Sequence, residues 1–168
     1  MIIWNQNIKP EKDFLSDLES FIVANHKSKD HYFTTYYNND GLDESLKQLL
    51  GSFYKDQIKS MMIDLGVHGF VSYRTTYWVQ MYNSNTTAHN IHTHFGEDSY
   101  ISWVHILNSP KQKCFFFVNS NGEKTYPENQ GSYDMFAFPS WALHGVDPVK
   151  EKDVNRIIVA GNIYFKDR

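Results

Sequence analysis

Apolar residues recur at helical spacing in two stretches of the first third of the chain. The first stretch follows Pro10, which suits the first helical position because a proline there loses no intrahelical hydrogen bond. The second runs from Asp43, which suits an N-cap, to Gly66, which suits a C-terminal stop. Both patterns predict amphipathic helices. The apolar residues are Phe14, Leu15, Leu18, Phe21 and Ile22 in the first stretch, and Leu46, Leu49, Leu50, Phe53, Met61 and Leu65 in the second.

Residues 31–41, between these helices, fit a strand and a loop equally well. After residue 68 the pattern changes to short runs rich in Val, Ile, Tyr, Phe and Trp, separated by turn-forming residues. These runs predict strands at 69–82, 89–94, 100–107, 113–118, 133–138, 142–145 and 155–165. We therefore expect an α+β, mainly β fold, a β-sandwich or jelly roll with the helices packed against one sheet.

Length and composition favour one ordered domain spanning residues 1–168, with a helical part at 1–67 and a jelly-roll core at 68–168. Of the 168 residues, 41% are hydrophobic and 21% are charged. A net charge of −3 with only three arginines argues against a large nucleic-acid-binding surface. The single cysteine, Cys114, excludes an intrachain disulfide, and neither a membrane-spanning run nor a signal-peptide pattern is seen. We expect a cytoplasmic protein, and its many tyrosines leave a homodimer open.

Six of the eight histidines lie between His68 and His144, which suggests a metal site. Residues two apart on a strand share a face, so His92 and His94 can converge on one ion. His89 would point to the other face if that strand is regular. His144, in a short segment between Pro139 and Gly145, is the best third ligand. The alternative is that these histidines are ordinary hydrogen-bonded surface or core residues.

Arg156 opens a run that is otherwise almost free of charge. Alternation places it on one strand face with Ile158, Ala160 and Asn162. An inward-facing arginine requires a partner, and a carboxylate binds its guanidinium in a bidentate manner. The alternative is an exposed arginine paired with a neighbouring acid: Asp147, Glu151 or Asp153. The residues alone leave both readings open.

Taken in order, these motifs resemble the 2-oxoglutarate- and Fe(II)-dependent oxygenases, in particular a prolyl-hydroxylase-like group of bacteria and phages. The matching elements are His92-Thr-His94, the Ser102-containing strand 100–107, Gly131 followed by Phe138-Pro-Ser140, His144-Gly-Val146, and Arg156 with Asn162. The match covers roughly residues 78–165. The resemblance implies a double-stranded β-helix fold.

The resemblance also implies roles for individual residues. His92, His94 and His144 would hold Fe(II), and Arg156 would bind the distal carboxylate of the co-substrate 2-oxoglutarate. With O2, the enzyme would hydroxylate an unidentified substrate and decarboxylate 2-oxoglutarate to succinate. Tyr82 and Asn162 are further candidates for binding the co-substrate. Trp78, Trp103 and Trp141 could form walls of the pocket, although core packing is the more ordinary role for each.

Three positions depart from the family pattern. The wider superfamily uses two histidines and a carboxylate in the order H-x-D, and here His94 stands at the carboxylate position. Either the site has three histidines, or Glu97 or Asp98 replaces one of them. A tyrosine and a hydroxyl residue that often assist co-substrate binding appear here as Ile106 and Ile158. Two other functions stay open: a cupin-type dioxygenase or isomerase with three histidines, and a non-enzymatic jelly-roll binding module.

Overall fold

The computed structural model describes residues 1–26, 32–36, 44–67, 69, 71–86, 89–95 and 99–165. Within these ranges the chain forms two helices and ten strands. The helices are α1 (Lys12–Asn25) and α2 (Glu44–Asp64), and the strands are β1 (Trp4–Asn7), β2 (Tyr32–Thr34), β3 (Tyr73–Tyr82), β4 (His89–His92), β5 (Ser99–Asn108), β6 (Phe115–Val118), β7 (Lys124–Thr125), β8 (Asp134–Pro139), β9 (His144–Val146) and β10 (Arg156–Phe165). None of the helices seen in these ranges is long and apolar enough to cross a membrane.

The strands form two antiparallel sheets. The larger sheet has the order β1-β8-β5-β10-β3-β2, and the smaller has the order β4-β9-β6-β7. Strands β5 and β10 lie at the centre of the larger sheet. The first part of the chain, expected to be helical, also supplies both edge strands of this sheet, β1 and β2.

The alternation of side chains along β5 divides the interior into two cores. Trp103 and Leu107 pack against the helices, together with α2 residues such as Leu50. Val104 and Ile106 point the other way and pack against the smaller sheet. The helices therefore cover one face of the larger sheet, and the smaller sheet covers the other. This confirms the expected mainly β architecture with helices packed on one sheet.

The helix predictions hold with small shifts at their ends. Helix α1 begins at Lys12 after the N-cap Glu11, two residues beyond Pro10. Helix α2 ends at Asp64, and Gly66 adopts a φ of 78°, the left-handed conformation that terminates helices and that glycine accepts without strain. Asp43 lies outside the described residues.

All seven predicted strands exist, with altered ends. Strand β3 begins only at Tyr73, and β4 ends at His92, so His94 lies in the segment that follows the strand. Strands β1 and β7 were not among the predicted strands. Strand β1 reads Trp-Asn-Gln-Asn, is largely exposed and pairs only with β8, so its sequence carries no apolar alternation. In the segment 31–41, for which the sequence fitted a strand and a loop equally well, residues 32–34 form β2. Residues 31 and 37–41 lie outside the described part of the chain.

Candidate functional site

Strands β4 and β9, with the segment that follows β4, bring three histidines together beside the smaller sheet. His92 lies directly opposite His144 in the strand pairing. The ring centroids of His92 and His144 are 4.4 Å apart, and those of His94 and His144 are 5.2 Å apart. One ring nitrogen from each of the three histidines lies within 4.8 Å of the others. Metal–nitrogen bonds are roughly 2.1 Å long, so small ring rotations bring all three nitrogens to one ion.

Main-chain carbonyls orient two of the three rings. The Nδ1–H of His92 donates to the carbonyl of Asn90 (2.7 Å), and the Nδ1–H of His144 donates to that of Ala142 (2.8 Å). A carbonyl only accepts, so each Nδ1 carries the hydrogen and each Nε2 keeps its lone pair. Metal-binding histidines ordinarily have this arrangement. The backbone N–H of His94 donates to the carbonyl of Ser140, which fixes its main chain.

Burial keeps the imidazoles of His94 and His144 in the neutral form that binds metals. Desolvation, with repulsion from His92, lowers the pKa of His144 to about 3 and that of His94 to about 4. Both side chains are therefore neutral at pH 7. Phe138 and Phe115 pack on the His144 ring, at centroid distances of 4.8 Å and 5.5 Å, and so exclude water from it.

The histidines line a cavity of about 500 Å³ between the two sheets. Among the described residues that line it there is no carboxylate, and its one cation is Arg156. Glu97 and Asp98, the suggested substitutes for a histidine ligand, lie outside the described part of the chain. Of the predicted site residues, those that reach this cavity are His92, His94, His144, Arg156, Tyr82, Trp78 and Trp103.

Arg156 is 1% exposed and is one of the residues that line the cavity. Within the described residues, neither terminal nitrogen has a hydrogen-bond partner. Burial lowers the pKa of this guanidinium, because the charged form loses its hydration. An unpaired cation in the protein interior lowers the free energy of unfolding by roughly several kcal/mol. A bound anion in the cavity would remove that cost, and a carboxylate matches the two free N–H groups.

The surroundings of Arg156 are apolar on one side and aromatic on the other. Ile158 and Ile106, at the two positions that depart from the family pattern, pair across β10 and β5 and are both buried. Tyr82 lies opposite Arg156 on β3, with its ring centroid 5.5 Å from the guanidinium carbon. The exposed-arginine alternative with Asp147, Glu151 or Asp153 is wrong, because Arg156 is buried.

His89 also lines the cavity, contrary to the prediction for a regular strand. Between His89 and His92 the strand carries one residue more than its partner β9, because His89 pairs with Val146 and His92 with His144. Such a bulge turns residues three apart to the same face. The His89 ring stacks on that of His92 at 4.6 Å. The sequence signalled this site by placing three histidines, His89, His92 and His94, within residues 88–94. No feature of the sequence signalled the bulge.

Asn162 lies behind the cavity wall. Its carbonyl accepts from Ser102 Oγ (2.8 Å), and its amide is 3.3 Å from the Tyr164 hydroxyl. Ser102 in turn meets Ser140 Oγ at 3.0 Å, and Ser140 Oγ is 2.7 Å from Ser99 Oγ. Asn162 does not line the cavity, so this buried network separates it from the space where a co-substrate would lie.

The three tryptophans occupy different environments. Trp78 lines the cavity, with its ring 5.8 Å from that of His94. Trp103 reaches the cavity wall, but its fully buried indole packs on Tyr54 in the helix-side core. Trp141 is 56% exposed and does not line the cavity. Trp78 is thus the tryptophan best placed to contact a ligand.

Comparisons of the fold point to one group of proteins. No family model matches the chain, and no curated protein matches it. Among solved structures, a prolyl-4-hydroxylase of Pseudomonas putida aligns over 98% of this chain and 92% of its own length, with 17% identity and a TM-score of 0.61. The chain shares that fold.

Two further structures support this assignment. A prolyl hydroxylase from Trichoplax adhaerens, solved with a hypoxia-inducible-factor peptide fragment, aligns over 96% of this chain and 82% of its own, with 12% identity and a TM-score of 0.65. An oxidoreductase of the 2OG-Fe(II) oxygenase family from Burkholderia pseudomallei aligns over 72% and 57%, with 15% identity and a TM-score of 0.51. At these identities the likeness concerns the fold.

Proposed function

We propose that this protein is a 2-oxoglutarate- and Fe(II)-dependent dioxygenase with a double-stranded β-helix core. It would hydroxylate an unidentified substrate and convert 2-oxoglutarate to succinate and CO2. The observation that carries the proposal is the buried guanidinium of Arg156, which lines the same cavity as the three histidines and whose terminal nitrogens have no hydrogen-bond partner among the described residues. A metal-chelating dicarboxylate satisfies both features at once. The oxygenase fold of the solved neighbours supports the same assignment.

The histidines suit an open metal site. His92, His94 and His144 would hold Fe(II) through one ring nitrogen each, which leaves the ion positions for other ligands. Bound iron would supply the activation of O2 coupled to oxidative decarboxylation of 2-oxoglutarate. The carbonyls of Asn90 and Ala142 fix the ring orientations of His92 and His144. Phe138 and Phe115 shield one side of the site from water.

Arg156 would bind the distal carboxylate of 2-oxoglutarate through its two terminal nitrogens. This ion pair would form in a desolvated pocket walled by Ile158 and Tyr82, where charge–charge attraction is stronger than at the surface. Tyr82 is the better candidate for a second contact, because it lines the cavity. Asn162 would act through Ser102 rather than by touching the co-substrate. Trp78 would contact the substrate beside the metal.

Anaerobic titration with Fe(II) and then 2-oxoglutarate tests this function. We expect a visible charge-transfer band that appears only when both are present and that requires His144. Arg156→Ala should weaken 2-oxoglutarate binding and leave the affinity for Fe(II) largely intact, because Arg156 is not a metal ligand. The matched control is Arg74→Ala, since Arg74 is an exposed arginine stacked on Tyr164, outside the cavity lining. Equal loss of both ligands in Arg156→Ala would contradict the role of Arg156.

A second candidate, a three-histidine metal dioxygenase or isomerase of the cupin type, is favoured by the lack of a carboxylate among the described metal-binding residues. It predicts Fe(II) binding that is indifferent to 2-oxoglutarate. Protein that takes up neither ligand would be a binding module instead. The same titration, followed by assay for succinate after O2 is admitted, separates the three.

A further inference from the structure

A chain of hydrogen bonds leads from the bulge in β4 across to the edge strand β2. His89 Nδ1 lies 3.0 Å from the hydroxyl oxygen of Tyr82, and this hydroxyl lies 2.7 Å from Gln80 Oε1. Gln80 Nε2 is 3.4 Å from Thr34 Oγ1. The four residues lie on three strands from both sheets and all line the cavity.

The chemistry of these groups fixes the direction of the chain. Gln80 Oε1 has no hydrogen to give, so the single Tyr82 hydroxyl hydrogen points to it. The remaining bond at the Tyr82 oxygen must then be donated by His89 Nδ1. Tyr82 is 3% exposed, and its hydroxyl is held from two sides, by a donor in the smaller sheet and an acceptor in its own strand. The Tyr82 ring therefore has one preferred position.

The position of the Tyr82 ring matters because the Arg156 guanidinium lies over it. Tyr82 and Arg156 face each other across β3 and β10, and the ring lies 5.5 Å below the guanidinium carbon. The attraction between the cation and the ring face holds the guanidinium on this side. Its two terminal nitrogens are buried and have no hydrogen-bond partner within the described residues, and Arg156 is one of the residues that line the cavity. A shift of the Tyr82 ring would therefore displace the Arg156 guanidinium, the group proposed to bind the co-substrate carboxylate.

We propose that His89 and Gln80 are positioning residues for the co-substrate site: through Tyr82 they hold the Arg156 guanidinium in the place where it meets a carboxylate. The inference rests on the proposed function and assigns it two residues that the family motifs do not include. It also gives the β4 bulge a role, since only the extra residue brings His89 to the inner face.

The test compares 2-oxoglutarate binding and metal binding in the same variants of the full chain. His89→Phe keeps an aromatic ring on His92 but removes the donor, and His89→Asn keeps a donor close to the position of Nδ1. We expect His89→Phe and Gln80→Leu to weaken 2-oxoglutarate binding to the Fe(II)-loaded protein about 3- to 10-fold, the effect of one buried hydrogen bond. Metal affinity should be unchanged, and His89→Asn should restore binding to within about 2-fold. Ile91→Ala, an exposed neighbour on β4, is the control.

A double-mutant cycle shows whether His89 acts through Tyr82. Tyr82→Phe keeps the ring but breaks the chain, so adding His89→Phe to it should cause no further loss. In the metal-free protein, the His89 Nδ1–H should give a slowly exchanging proton signal in nitrogen-edited NMR spectra that Tyr82→Phe removes. Unchanged binding in His89→Phe, additive losses, failure of His89→Asn to rescue, or a parallel fall in metal affinity would each overturn the inference. Wild-type protein that binds Fe(II) but no 2-oxoglutarate would overturn the proposed function, whereas the NMR signal would still report the hydrogen bond.

Discussion

His92 and His144 lie opposite each other on adjacent antiparallel strands, with ring centroids 4.4 Å apart and each Nδ1–H bonded to the carbonyl two residues earlier in the chain. The backbone thus sets both ring orientations before any metal binds. His94 is held differently, through the bond from its backbone N–H to the Ser140 carbonyl. The three ligands should therefore respond unequally to substitution.

His144→Ala should reduce metal affinity by at least about 100-fold, because it removes a buried, oriented ligand. His94→Asp should retain metal within about 10-fold, since an aspartate there recreates the two-histidine, one-carboxylate set of related iron sites. Competition against a chromophoric chelator measures both. His26→Ala, at the end of α1, is the control. Unchanged metal affinity in His94→Ala would show that His94 is not a ligand.

Arg156→Met should stabilise the ligand-free protein, although it removes the residue proposed to bind the co-substrate. The native guanidinium is buried without a hydrogen-bond partner in the described part of the chain, and methionine fills much of the same space without a charge. We expect a gain of about 1 to 4 kcal/mol in the free energy of unfolding. Denaturant titration measures it, and 2-oxoglutarate should no longer raise the melting temperature. A large loss of stability would mean that the guanidinium is paired in solution.

Ser140→Ala should weaken both the fold and the metal site. The substitution removes two hydrogen bonds at a fully buried hydroxyl, at a cost of about 1 to 2 kcal/mol. The carbonyl that accepts from the His94 backbone N–H remains, but without the two hydroxyl bonds the main chain at residue 140 can shift, so metal affinity should fall several-fold. Ser99→Ala breaks one bond of the same network without altering Ser140. Ser99→Ala should reduce the free energy of unfolding but leave metal affinity unchanged. Equal metal affinities in Ser99→Ala and Ser140→Ala would contradict a role of Ser140 in holding His94.

His105 should make the protein less stable in acid. Its Nε2–H donates to the Ile8 carbonyl and its Nδ1 accepts from the Tyr54 hydroxyl, so the folded state requires the neutral ring. Burial lowers the pKa of His105 from 6.5 to about 4. The unfolded chain binds the proton more tightly, so this stability is fully present above pH 6.5 and is lost as the pH falls towards 4. The loss amounts to roughly 3 kcal/mol.

Urea titrations across this pH range measure the effect. His94 and His144, whose pKa values burial also lowers, contribute in the same direction, so the comparison is with His105→Gln, which removes one titrating group. This variant should be less stable than the wild type at pH 7 and should lose less on acidification. Identical slopes in the two proteins would exclude His105 as a contributor.

The sequence was most informative where side chains alternate or recur around a buried face. Both helices, all seven apolar strands and the choice of His92 and His144 as candidate metal ligands followed from such patterns. The inward position of Arg156 did not, because the residues alone left it open and only the family resemblance implied it. Two further kinds of feature did not either. Edge strand β1 gains its place from hydrogen bonds to β8 rather than from apolar side chains. The inward turn of His89 depends on a bulge, which is decided by the pairing partner.

The neighbours of the predicted residues were only partly readable. Gln80 stands two residues before Tyr82 on the same strand, so alternation alone could have assigned it to the cavity wall. The environment of Asn162 could not be read, because its partners Ser102 and Tyr164 offer hydroxyls that sequence does not orient. Trp103 and Trp141 show the same limit, since the chemistry of indole suits a core, a surface and a pocket equally.

The two edge strands of the larger sheet come from the first 36 residues, while their partners β8 and β3 come later in the chain. During synthesis on the ribosome, β1 therefore emerges long before the strand it joins. Until β8 is made, the first strand has no hydrogen-bond partner in the sheet, and until β1 docks, β8 is an open edge that a second molecule could occupy. Deleting the first seven residues should therefore promote aggregation of a protein whose cavity residues are all still present.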